Sequence, residues 1–401
     1  MLFHRVIRRF YPASSATTRQ AVVFGCLLLT IEFLDELVFG AREAAWPLIR
    51  TDLNLTYAQV GLLLSLPALI ANLIEPPLGI LADVWNRRIL VLGGGVVFAA
   101  SLLLMAVAPS FPVLLLSFVL FYPASGAFVS LSQAKLMDLR PHHHEQMMAR
   151  WNLAGSVGVV GGALALTVAT SVALGWRALF RGMAVLALLL TLAAWRQPWK
   201  TQSAEMESET FFSGLAAAIH AIRRPAVLRW LVLLEAADFM HDVLLGFLAL
   251  YLVDVMGITP ALAGTAVAIW TGASLLGDAL LVPLLAQVRG LVYLRYSATA
   301  MLLLYPSFLL VPAFPLKLTL LAVMGLVGAG WYPILKGQLY GAMPGLSGTV
   351  MAVDSATGLA AGLIPAGLGF IAAQWGLSAA LWLLVLGPLT VLFGLRGVLA
   401  R

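Results

Sequence analysis

Charge is what this sequence has least of. Only 10% of its 401 residues are Asp, Glu, Lys or Arg and 61% are hydrophobic, whereas a soluble globular domain carries roughly 25% charged residues. A surface that poor in charge excludes a water-soluble fold and leaves lipid as the main solvent. Cysteine is almost missing as well. Cys26 stands alone inside the first apolar run, which excludes an intrachain disulfide framework or a cysteine metal site. Long polar stretches are also scarce: Gln197 to Arg224 is the one extended linker, so no large soluble domain is present. Neither a P-loop, nor a metal-binding helix motif, nor a nucleophile constellation appears, which argues against an enzyme.

What the chain does have is apolar runs. A bilayer-spanning helix needs about 20 mostly apolar residues. Such runs fall near 21–48, 57–82, 88–108, 112–138, 148–173 and 178–196, then near 227–253, 260–286, 291–312, 315–341, 347–373 and 377–396. The expected fold is therefore an all-α polytopic membrane protein with twelve transmembrane helices in two six-helix pseudo-symmetric bundles. Its parts are a basic arm (1–20), a first bundle (21–196), a linker (197–226) and a second bundle (227–401). The arm carries Arg5, Arg8, Arg9 and Arg19 before an apolar run, as a signal peptide would. Glu32, Asp35 and Glu36 interrupt that run, so an uncleaved arm is expected.

The net charge of +6 does not point to nucleic acid, because Arg and Lys sit at the ends of apolar runs. By the positive-inside rule they place both termini and the linker in the cytoplasm of a cell inner membrane, with Arg50, Arg177, Arg181 and Lys317 as outer-side exceptions. The halves also look alike. Glu36 to Gly40 has a counterpart in Asp242 to Gly246, Thr56 to Gly61 in Thr259 to Gly264, Glu75 in Asp278, and Tyr122-Pro123 in Tyr332-Pro333. Parallel six-helix repeats of this kind place a substrate site at the repeat interface near the bilayer midplane.

Ionisable groups inside a span cost several kcal/mol unless paired or hydrated, and by default they mark a cavity, a relay or a substrate path. At about 100° per residue, Glu32, Asp35, Glu36, Arg42 and Glu43 share one side of the first helix. Glu235, Asp238, His241 and Asp242 repeat the pattern in the seventh. Two such stripes are expected to line one cavity. Carboxyls crowded together in low dielectric hold protons more readily, and histidine can serve the same end. Glu75, Asp278, Tyr122, Gln133, Lys135, Tyr332, Lys336 and Asp354 are further cavity candidates, and the two Tyr-Pro pairs predict matched distortions in the fourth and tenth helices. His142, His143 and His144 could suggest a metal, but consecutive side chains do not converge on one ion; a hydrated loop is expected, with no metal and no cofactor.

The run Gly79-Ile80-Leu81-Ala82-Asp83-Val84-Trp85-Asn86-Arg87-Arg88 follows the second span and resembles the G-x-L-A-D-r-x-G-r-r signature of the major facilitator superfamily. With the twelve spans and the repeat, the resemblance covers essentially the whole chain. It implies that Gly79, Asp83, Arg87 and Arg88 form a conformational latch in which the acid pairs with basic residues and faces the start of the eleventh helix. Asn86 stands where glycine is usual and tolerates the left-handed conformation such a turn calls for; Val84 stands where a cation is frequent. Gly155, Gly158, Gly161 and Gly162 partly resemble the glycine-rich signature of family exporters, with Val159 in place of proline, and simple close packing explains them equally well. The expected function is proton-coupled export of a cationic, zwitterionic or amphiphilic small molecule by a monomeric rocker-switch transporter. A lipid or lysolipid flippase and a non-transporting receptor or scaffold are the alternatives.

Overall fold

The computed structural model describes residues 16–55, 57–141, 143–197, 199, 219–258, 260–361, 368, 371–372 and 374–396. Positions 1–15 of the arm, Thr56, His142, 200–218 of the linker, Thr259, 362–367 and 397–401 lie outside them, as do the side chains of Arg50 and Asp242.

The described residues are helical almost throughout. In chain order they form α1 (Ala16–Asp52), α2 (Tyr57–Val84), α3 (Arg87–Val107), α4 (Phe111–Leu139), α5 (His144–Ser171) and α6 (Gly175–Trp195). There follow α7 (Pro225–Leu250), α8 (Pro260–Leu284), α9 (Gly290–Leu310), α10 (Phe314–Ala342), α11 (Ser347–Ala361) and α12 (Leu377–Leu395). Eight candidate membrane spans are long and apolar enough to cross a bilayer among the described residues: α3 to α6, α10, α12 and the C-terminal parts of α2 and α8. The acid-bearing α1 and α7 are not among the eight. Outward faces are apolar as lipid requires, with Leu73, Leu303 and Leu310 exposed to 69, 70 and 71%.

Residues within 1–141, 154–215 and 347–352 form one compact unit, and those within 142–153, 216–346 and 353–401 form another. In the first, α3 packs on α4 and α6, α2 on α4, and α1 on α6 and the end of α4. In the second, α10 packs on α7, α8 and α9, and α12 packs on α7 and α9.

Backbone irregularities explain three departures from the expected helices. The fourth helix contains a π turn at Gly126–Ser130, separated from Pro123 by Ala124 and Ser125. Proline has no N–H and crowds the carbonyl four residues back, so the ladder is already broken there. The tenth is interrupted at Ala329 and Gly330 and restarts at Trp331, which leaves Pro333 in the first turn, where its missing N–H costs nothing. The break is covered from α9: the Tyr293 hydroxyl donates to the Val327 carbonyl at 2.8 Å. Both distortions therefore lie beside the Tyr-Pro pairs, on opposite sides of them. The third departure is α5, which begins at His144 rather than near 148 because Met147 N–H bonds the His143 carbonyl.

Asn86 corrects a further expectation. Its backbone is extended (φ −76°, ψ 90°), not left-handed, because its side chain caps α3 by accepting the Arg88 N–H at 3.1 Å.

Candidate functional site

In the first unit the acids of α1 divide among different neighbours. Glu32 is buried and Glu36 half-buried against the glycine face of α5. A methyl built on Gly155 would stand 2.9 Å from Glu32 Oε1, and one on Gly158 would stand 2.6 Å from the Phe33 carbonyl and 2.9 Å from Glu36 Cβ. Glycine here is a packing requirement: it lets α1 and α5 touch backbone to backbone while leaving room for two carboxyls. Asp35 turns toward α4, where Ser125 Oγ donates to it at 3.0 Å next to the π turn. Glu75 of α2 reaches the same turn, and a methyl on Gly126 would lie 2.8 Å from its carboxyl oxygen.

Arg42 lies two turns beyond Asp35 and is almost fully buried. Its Nη1 donates to the Tyr122 hydroxyl at 3.0 Å and its Nη2 to the exposed Glu43 at 2.9 Å. Its guanidinium sits 4.9, 5.8 and 5.5 Å from the Phe39, Phe118 and Tyr122 ring centres, an arrangement that compensates desolvation through cation–π attraction. Gln133 is buried and Lys135 half-buried on the last part of α4.

At the far end of α2, Asp83 accepts the backbone N–H groups of Gly348 and Thr349 at 2.8 and 2.6 Å and the Thr349 hydroxyl at 2.7 Å. Those N–H groups belong to the first turn of α11, where donors lack intrahelical partners and the helix dipole favours an anion. Arg87 bridges Asp83 and Asp138, both at 2.6 Å, and Ser347 Oγ donates to Asp138 at 3.0 Å. Gly79 abuts the Gly348 carbonyl so closely that no side chain fits. Arg88 is elsewhere: it donates to the Trp195 carbonyl at 2.6 Å, satisfying the end of α6.

In the second unit Glu235, Asp238 and Asp242 lie on α7, Glu235 and Asp238 half-buried. His241 Nδ1 is 3.0 Å from the Ala237 carbonyl. Its ring lies 6.0 Å from Trp270 and 5.3 Å from Trp331, edge-on to the latter. Asp278 of α8 is buried and accepts from Asn152 Nδ2 at 2.8 Å. Lys336 of α10 is buried in an ion pair with Asp354 of α11, and Tyr332 lies under its ammonium at 5.9 Å. Glu145, directly after the histidine run expected in a hydrated loop, is half-buried: Gly290 N–H at the start of α9 donates to it at 3.1 Å, and Gln338 of α10 donates to its other oxygen. His144 beside it stands 6.3 Å from the Tyr340 ring. No metal-holding cluster of His, Cys, Asp or Glu occurs among the described residues.

The sequence profile of the Major Facilitator Superfamily matches residues 28–364. The chain belongs to this superfamily of membrane transporters. Its fold is that of solved transporters. The structure of FucP in the outward conformation aligns with TM-score 0.77 and 16% identity over 94% of this chain and 99% of that one. The proton:xylose symporter XylE bound to 6-bromo-6-deoxy-D-glucose aligns with TM-score 0.69 and 14% identity over 93 and 95%. In sequence, the quinolone resistance protein NorA of Staphylococcus aureus is 31% identical over 113 residues, which is 28% of this chain and 29% of NorA. The aligned stretch thus spans under a third of that relative.

The partners that sequence reading of this transporter missed are Ser347 to Thr349, Ser125, Glu145 and Asn152. One of them left a signal: Ser347-Gly348-Thr349 after the Met343-Pro344-Gly345 turn is a helix start seeking an acceptor. The others are ordinary residue types whose role depends on which helix faces them.

Proposed function

We propose that the transporter is a monomer of twelve spans in two six-helix bundles, both termini cytoplasmic, that exports a cationic, zwitterionic or amphiphilic small molecule across the inner membrane. Export is driven by protons in a rocker-switch cycle. The observation that carries the coupling is the α1 set Glu32, Asp35 and Glu36. Three carboxyls sit within two turns of a helix packed inside a membrane bundle, with no ion pair among the described residues. Burying carboxylates without cations is costly, and protonation relieves it. The α7 groups Glu235, Asp238, His241 and Asp242 are the matching candidates in the other half. Similarity to a quinolone resistance protein supports the outward direction. Asp83 on the first turn of α11 acts as the latch that favours one side of the cycle.

The test is transport by the purified protein in liposomes with an imposed pH gradient. One or more of E32Q, D35N, E36Q, D238N, H241Q and D242N should abolish gradient-driven accumulation yet spare substrate exchange, which moves no net protons. Gradient-driven accumulation intact in all six would sink the proton-coupled reading and make the stripes structural.

A further inference from the structure

Two buried side-chain polar atoms lack a hydrogen-bond partner among the described residues, Trp46 Nε1 and His241 Nε2, and the mechanism just proposed explains neither. Buried polar atoms are nearly always satisfied, and an exception calls for a reason. At His241 the opposite ring nitrogen fixes the chemistry: the Ala237 carbonyl can only accept, so Nδ1 carries the hydrogen and Nε2 holds a bare lone pair.

That lone pair is pressed against the backbone of α10. A methyl built on Gly328 would overlap Nε2, so the ring occupies the room that only glycine provides. Gly328 is the last residue before the break at Ala329 and Gly330, and Trp331, which restarts the helix, meets the ring edge-on. The histidine is thus wedged where α10 is already discontinuous. From its far side Trp331 donates to Ser297 Oγ at 3.0 Å, and Tyr293 holds the Val327 carbonyl.

We propose that His241 Nε2 is a proton-binding site whose occupation releases the segment Trp331–Ala342 from α7. This rests on the proton-coupled reading above and names how one site in it would act. A proton on Nε2 makes a cationic donor aimed at Gly328, where no acceptor lies among the described residues. None comes from the surrounding elements. On α8 the facing residue is Trp270, and Asp278, two turns on, already takes Asn152. On α9 the ionisable neighbour is Tyr293, committed to Val327. On α10 Lys336 is a cation paired with Asp354, and α12, which packs on α7, carries no ionisable residue from Leu377 to Leu395. Among the described side chains of α7 the acids are Glu235 and Asp238, on the turns before His241, and a donor that reached either would require the ring to turn away from Gly328. The seat then empties and Trp331 loses its edge contact. The segment so released carries Lys336 and Gln338, whose partners are Asp354 of α11 and Glu145 of α5. A proton at one histidine would thereby reach two other helices.

The experiment is 19F NMR of the full chain, labelled with 5-fluorotryptophan in lipid nanodiscs, with the Trp331 resonance assigned by W331F. The resonance should shift between about pH 5 and 8, the range in which histidine titrates. It should lose that dependence in H241Q, and in G328A it should sit near its acid position already at pH 8, because the added methyl displaces the ring. A wild-type Trp331 resonance that ignores pH, or one that titrates unchanged in H241Q, overturns the proposal. Liposome transport separates it from the underlying reading. If Trp331 responds as stated but a pH gradient drives no accumulation in the wild type, proton coupling fails and the switch stands. If H241Q silences Trp331 yet keeps full gradient-driven accumulation, the switch is overturned as a coupling device and an acid carries the proton.

Discussion

Replacing Asp83 by Asn tests the proposed latch at the atoms that would make it. The carboxylate takes four donors: two α11 N–H groups, the Thr349 hydroxyl and Arg87. Asn is isosteric, so the helix end should keep its shape, but it has one acceptor oxygen and no charge, and its NH₂ faces other donors. Each bond to a charged group contributes about 1.5–3 kcal/mol and a neutral one nearer 1. Losing the charge and about two bonds should therefore cost the contact on the order of 3 kcal/mol, or about a hundredfold in its equilibrium at 1.4 kcal/mol per decade. Gly348 and Thr349 have no intrahelical acceptor for their N–H groups, so their exchange with deuterium reads this contact directly. We expect it to accelerate about tenfold to a hundredfold in D83N, with apparent substrate affinity changing differently from the two membrane sides. Exchange within twofold of wild type, with both affinities unchanged, would reduce Asp83 to a topology residue.

Two further outcomes follow from packing and from charge. G158L drives a side chain into the Phe33 carbonyl and the Glu36 stem; overpacking of this kind costs about 1–3 kcal/mol or more, so the thermal midpoint in detergent should fall by several degrees, and an unchanged midpoint would show that α1 and α5 do not touch. K336M removes the partner of Asp354, whose side chain is 35% exposed; with solvent compensating in part, the loss should be about 1–3 kcal/mol. K336M/D354N should recover most of that drop in midpoint, and no recovery would mean that Lys336 acts through packing alone.

The helices were legible because apolar runs of membrane length leave little choice of structure, and the Gly79–Arg88 run pointed to the family because a tight charged turn after the second span is an unusual pattern. Distances between helices were not legible. Nothing local distinguishes Glu145 from the histidines before it; its burial depends on Gly290 and Gln338, which lie 145 and 193 residues away. Asn86 misled for the opposite reason, since a residue that tolerates the left-handed region is also a strong helix cap, and only the backbone decides between the two. The Tyr-Pro pairs located the distortions in α4 and α10 but not their form. In α4 the proline lies inside a regular stretch just ahead of the π turn, whereas in α10 it lies just inside a restarted one.

The same dependence on neighbours separates charges that look alike in sequence. Helical spacing puts Glu32, Asp35, Glu36 and Arg42 on one side of α1, yet Glu32 and Glu36 meet glycines of α5, Asp35 meets Ser125 at a π turn, and Arg42 meets aromatic rings and Glu43. Arg42 is thus satisfied within its own surroundings and has least to gain from a change of state. Asp35 and Glu75 are placed on the irregular part of α4, and His241 on the irregular part of α10. Irregular turns have fewer backbone bonds to lose when they move. On the proposed cycle a proton would therefore do most at those two places, where the ionisable group lies against the backbone segment least held by its own hydrogen bonds.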